Sequence, residues 1–104
     1  MLLEKTSFGE GDIVTVKLTS GEEIIGKYIS GTDDQIVLEK VLMLAMSQNG
    51  VGMAPYLITV NPDNKLRFNK SLIVVVAETD KEIANQYTYQ TTGIQPVRSG
   101  GIVV

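Results

Sequence analysis

Apolar and polar positions alternate early in the chain. Val14, Val16 and Leu18 are separated by Thr15 and Lys17, the period of a strand with one buried face. Thr19-Ser20-Gly21-Glu22 supplies turn residues, after which Ile24, Gly26 and Tyr28 line one face of a second strand. A glycine inside a strand lets it bend sharply, as a small closed barrel requires. Beyond the polar cluster at 30–34, a third run extends from Gln35 to about Met46. Residues 47–52 read as a flexible connection and Tyr56 to Val60 as a fourth strand, stopped by Asn61-Pro62-Asp63-Asn64. Leu66-Arg67-Phe68 is a short extended piece, and Leu72 to Ala77 a fifth strand. Short strands with no helix between them predict an all-β antiparallel barrel or sandwich.

One helix follows, over 79–92. Thr79-Asp80-Lys81-Glu82 has the form of a capping box, with Thr79 accepting from a free backbone amide and Glu82 reaching back. Ile83, Ala84 and Tyr87 share a face, and Gly93 ends the helix. Pro96, Ser99, Gly100 and Gly101 make 94–104 a flexible tail, although Ile102-Val103-Val104 could extend a sheet edge. A chain of 104 residues has room for a single domain, here 1–93, with one modest core.

The residues that are missing narrow the chemistry. Without His or Cys there is no Ser-His-Asp or Cys-His arrangement, no disulfide and no usual zinc site, so an enzyme is not expected, nor a cofactor. Asp33-Asp34 is a carboxylate pair by spacing alone, and adjacent residues point apart, so it reads as turn chemistry. Met1-Leu2-Leu3 is followed at once by Glu4 and Lys5, which predicts a cytoplasmic chain with neither signal peptide nor membrane span. The net charge of -3 argues against a surface broadly built for nucleic acid.

Two local features rise above this background. The run Leu72, Ile73, Val74, Val75, Val76 and Ala77 has no polar interruption, and a strand with one face in water should alternate. It predicts cover on both faces, from a neighbouring copy in a homo-oligomer or from the late helix within one copy. The second feature is basic. Lys65, Arg67 and Lys70 are three of the nine cationic residues and are interleaved with Phe68 and Asn69, a candidate polyanion contact that is equally readable as a solvated turn.

The stretch Val14-Thr15-Val16-Lys17-Leu18-Thr19-Ser20-Gly21 with Ile24-Ile25-Gly26-Lys27-Tyr28 resembles the first motif of the Sm-like family, and Asp33, Ile36 and Leu38 fall near its third-strand positions. Phe68-Asn69-Lys70-Ser71 followed by Ile73 and Val76 looks like the second motif, so the likeness covers roughly 10–78 in three pieces. With the late helix and Thr91-Thr92-Gly93, the whole chain looks most like the small Sm-related proteins of marine tailed cyanobacterial phages. The resemblance implies a five-stranded, strongly bent SH3-type barrel that closes into a ring by strand pairing, with the turn at Lys70 near the central opening and RNA as the ligand.

The departures bear on that ligand. Gln35 stands near the family's aromatic or His position, Val37 near its Asn, and Asn69-Lys70 replaces Arg-Gly. Val37 cannot hydrogen-bond a base edge and Gln35 has no ring to stack, which predicts weak or unselective oligo-uridine binding. A helix ahead of the first strand is not expected from the Gly-rich residues 7–12. Two readings stay open: an RNA-binding or RNA-chaperone-like ring with an atypical base pocket, using Lys65, Arg67, Asn69 and Lys70, or a structural ring that binds no nucleic acid.

Overall fold

The computed structural model describes residues 8–92. Six strand segments form one antiparallel sheet: β1 (Ile13–Leu18), β2 (Glu23–Gly31), β3 (Gln35–Ser47), β4 (Gly50–Pro55), β5 (Lys65–Asn69) and β6 (Ile73–Glu78). A 3-10 turn, Lys70–Leu72, joins β5 to β6, and the helix α1 (Lys81–Thr92) follows. The order β4-β3-β2-β1-β6 is completed by β5, which lies against the first half of β3 while β4 lies against the second. The fold is therefore a bent, all-antiparallel barrel with one late helix; four of the five expected strands are recovered, and β4 and β5 stand on either side of the expected fourth.

Curvature comes from irregularities at defined residues. Ile25 pairs with Leu42 and Lys27 with Glu39, so Lys40 and Val41 together oppose the single residue Gly26. This is a β-bulge, and Lys40 accommodates it at φ 54. Crowding favours glycine at position 26. A Cβ there would stand 3.3 Å from Leu38 Cβ and 3.4 Å from both Glu39 O and Val41 Cγ2. The bend curls the sheet until β1, β2, β3 and β5 share a core of Val14, Val16, Leu18, Ile24, Ile36, Leu38, Val41 and Phe68, with Ile73 and Val76 of β6 packed on it.

A second, smaller core lies on the other face of the same strands. Ile25 and Leu42 are neighbours of Ile24 and Val41 in sequence but point oppositely, as period-2 geometry demands. Tyr87 of α1 covers them, with Ile83, Leu44, Met53 and Ile13 around it. Tyr87 is fully buried, and its hydroxyl donates to Lys40 O at 2.7 Å and Glu39 O at 3.3 Å. Gln86 Nε2 donates to Val51 O at 3.3 Å and ties the helix to β4.

Three local expectations are corrected. Residues 47–52 are no flexible connection: Ser47 pairs with Gly50, Gly50 takes φ 110, and Ser47 Oγ accepts from Asn49 N at 3.2 Å, which closes a tight hairpin into β4. Tyr56 to Val60 forms no strand. Those residues belong to an excursion between β4 and β5, because Pro55 is the last partner of β3 before the bulge removes the register. The helix starts at Lys81, and its cap is Asp80, whose Oδ2 accepts from Glu82 N at 3.1 Å. Thr79 instead shares a 2.8 Å hydrogen bond with Thr15 across to β1. Residues 8–12 form a turn with no helix, as expected; Gly93 and the 94–104 tail lie outside the described residues.

Candidate functional site

The apolar run lies at an edge. β6 pairs with β1 on one side, and among the described residues no strand pairs with its other side. Val76 and Ile73 turn inward to the core, while Leu72 is 52%, Val74 64% and Val75 51% exposed. Ile73 opposes Leu18 and Val75 opposes Lys17, so Val74 is the extra residue of a bulge and is pushed outward. α1 does not shield this strand. Its packing partners lie on β1 to β4, and a cleft of about 350 Å³ opens between Ile83 and Ala77. Edge strands usually carry a charge or proline that blocks pairing, and 72–77 carry neither.

The opposite edge is formed by β4 and β5, which have no strand on the side away from β3 among the described residues. Alternation along β5 sends Leu66 and Phe68 inward and leaves Lys65, Arg67 and Asn69 exposed on one outer face. Their register partners on β3 are Glu39, Val37 and Gln35. Lys65 Nζ lies 3.8 Å from Glu39 Oε1, a mostly solvated pair that offsets part of the local positive charge. Asn69 Oδ1 accepts from Ser71 N at 3.0 Å and so caps the 3-10 turn.

Lys70 is separated from that face. Its amide donates to Asp34 O at 2.7 Å, and the residue lines a different depression with Tyr28, Thr32, Asp33 and Phe8. The structure thus brings three of the four basic-strand residues together and turns the fourth toward the β2–β3 turn. Gln35 and Val37 do flank Asn69 and Arg67, so the outer face has no aromatic ring opposite the basic side chains. Among the described residues no group of three or more His, Cys, Asp or Glu is placed to hold a metal ion. No helix there is long and apolar enough to cross a membrane.

Sequence reasoning missed two features of this surface. One is Lys40, whose bulge joins strand, helix and excursion; its lone signal is that β3 is longer than any partner strand. The other is the excursion tip, where Leu57 is 41% and Ile58 87% exposed. Their apolar character suggested a strand, and the four-residue stop at 61–64 gave no hint that the strand before it was absent.

No protein-family model and no curated protein matches the chain. Among solved structures, it is similar to a heptameric archaeal Sm protein, at 17% identity and a TM-score of 0.47, covering 67% of this chain and 88% of that one. It is similar also to the SmAP1 heptamer of P. aerophilum, at 17% identity and a TM-score of 0.46, over 67% of this chain and 81% of that chain.

Proposed function

We propose that this chain is a non-enzymatic, Sm-like subunit of a homo-oligomeric ring in the cytoplasm, related to the small Sm-related proteins of marine cyanobacterial phages. Strand β6 of one copy extends the β4–β5 edge of the next, with Leu72, Ile73, Val74, Val75 and Val76 in the seam. The observation that carries this reading is the exposure of Val74 and Val75 on an edge strand that α1 leaves uncovered, with Leu72 exposed just before it. Head-to-tail pairing of two different edges satisfies both in every copy, and it closes into a ring where the rotation between copies divides a full turn. Light scattering of the purified chain tests it. An oligomer at micromolar concentration is expected, and a monomer would overturn the ring.

Around the ring, the Lys65, Arg67 and Asn69 face is repeated in each copy, which makes a dense cationic band from a weak local patch. RNA then binds through its phosphates, with Lys70 as a further contact and without uridine selectivity, since Val37 and Gln35 supply no base-reading group. Co-purified RNA, read from the ultraviolet absorbance ratio, is the direct test. The second reading, a structural ring that binds protein and no nucleic acid, is favoured by the Glu39 carboxylate beside Lys65 and by the net charge of -3. An intact ring with no RNA signal would select it.

A further inference from the structure

The excursion at 56–64 leaves the sheet between β4 and β5, from the middle of one free edge. It is pinned to the bulge at both ends. Tyr56 N donates to Val41 O at 3.3 Å and Lys40 N to Pro62 O at 3.0 Å, while the Lys40 ammonium pairs with Asp63. Inside it, Asp63 N donates to Asn61 Oδ1 at 2.8 Å and Asn64 N to Asn61 O at 2.9 Å. The tip so held presents Leu57 and Ile58, and Ile58 is 87% exposed. An ordered loop that displays two large apolar side chains is suited to contact.

We propose that Leu57 and Ile58 of one copy seat on the exposed Leu72, Val74 and Val75 of the next, so that the ring seam is closed by a side-chain clamp as well as by strand pairing. The inference rests on the ring reading above. Any strand added to the β4–β5 edge meets this excursion where it emerges. The strand this chain offers, β6, is uncharged from Ile73 to Ala77 and, with Leu72 of the 3-10 turn just before it, presents three large exposed apolar side chains, with Val74 raised as a knob by its bulge. The excursion's carboxylate, Asp63, is held by Lys40 and so brings no unpaired charge to the contact. The clamp also sets direction. Two-fold pairing of β6 with β6 would leave both tips in water, whereas head-to-tail assembly gives every tip a β6.

The chain has no cysteine, so engineered thiols are unambiguous reporters. In the I58C/V74C chain, a short bis-maleimide should produce a ladder of linked copies on a denaturing gel. Mixed I58C and V74C single variants should stop at pairs. Ile58→Asp should raise the concentration for half-dissociation by about tenfold or more, from the loss of one buried apolar side chain per seam. The fold, checked by far-ultraviolet circular dichroism, should be kept because the side chain is exposed in each copy. A wild-type monomer in light scattering would overturn the ring reading and the clamp together. An intact wild-type oligomer with no I58C–V74C link and unchanged I58D dissociation would overturn the clamp alone.

Discussion

Replacing Tyr87 with Phe isolates one hydroxyl at the point where helix, barrel and bulge meet. The ring of Tyr87 remains to cover Ile25 and Leu42, so apolar burial is almost unchanged. What is lost is the donor to Lys40 O at 2.7 Å, with its longer contact to Glu39 O at 3.3 Å. These carbonyls belong to a bulge, and Tyr87 is fully buried, so water has poor access to the vacated position. A buried acceptor left unsatisfied costs about 1–3 kcal/mol. At about 4–8 °C per kcal/mol for a domain of this size, Y87F should melt at least several degrees below wild type. Tyr87→Ala removes the ring as well and should cost about 3–5 kcal/mol. Both are read by thermal unfolding at one fixed protein concentration, since assembly raises apparent stability by mass action. A Y87F melting temperature within a degree of wild type would refute the claim that the hydroxyl anchors the bulge.

The same hydroxyl gives a pH dependence with a definite sign. Burial, and secondarily the Glu39 carboxylate, push the phenol well above its ordinary value of 10.0. The unfolded chain releases this proton near pH 10 while the folded chain keeps it. The contribution is therefore complete below pH 10 and is lost as pH rises beyond it. In Y87F this part of the alkaline loss should vanish, so the two stability curves should converge above pH 10. A gap that widens there would contradict the assignment.

Three other outcomes follow from the geometry. Val75→Lys places an ammonium at the proposed seam and should shift the oligomer toward monomer or aggregate, read by light scattering; an unaffected oligomer would remove Val75 from the interface. Gly26→Ala forces a methyl group among Leu38, Glu39 and Val41 and should cost about 1–3 kcal/mol by denaturant unfolding, with a neutral result showing that the bend can relax. Neutralising Lys65, Arg67 and Lys70 together should weaken RNA binding and flatten its salt dependence, by about 0.7 in logarithmic slope per lost phosphate contact; equal titrations of both proteins at two salt concentrations would leave the patch a solvated surface.

Strands whose two faces differ were legible in the sequence. β1 alternates cleanly, and Gly26 marked the bend because a side chain there would crowd Leu38, Glu39 and Val41. The uninterrupted run at 72–77 pointed to cover on both faces, from a neighbouring copy or from the late helix, and the exposure of Leu72, Val74 and Val75 shows that the helix does not supply it within one copy. The basic strand was found by composition, but alternation had to be seen against Phe68 to place Lys65, Arg67 and Asn69 on one face and Lys70 elsewhere. β4 was illegible for a physical reason. Gly50, Gly52 and Pro55 lower its strand propensity, and it forms because the second half of β3 offers it a ladder from Leu42 to Ser47.

The excursion was illegible for a related reason, and its position explains why the fold tolerates it. A bulge interrupts the ladder at Lys40 and Val41, so the partner strand has no regular register to keep between Pro55 and Lys65. Nine residues inserted there break few strand hydrogen bonds, and lengthening a loop adds closure entropy only slowly. The insertion also repairs what the bulge exposes: Pro62 O accepts the Lys40 amide, Val41 O accepts the Tyr56 amide, and Asp63 meets the Lys40 ammonium. From the other face, Tyr87 satisfies the Lys40 carbonyl. A single residue at positive φ thus holds the excursion on one side and α1 on the other. Disturbing either attachment should loosen the other, so Y87F should also increase hydrogen exchange at the Lys40 amide, a site its own hydroxyl never touches.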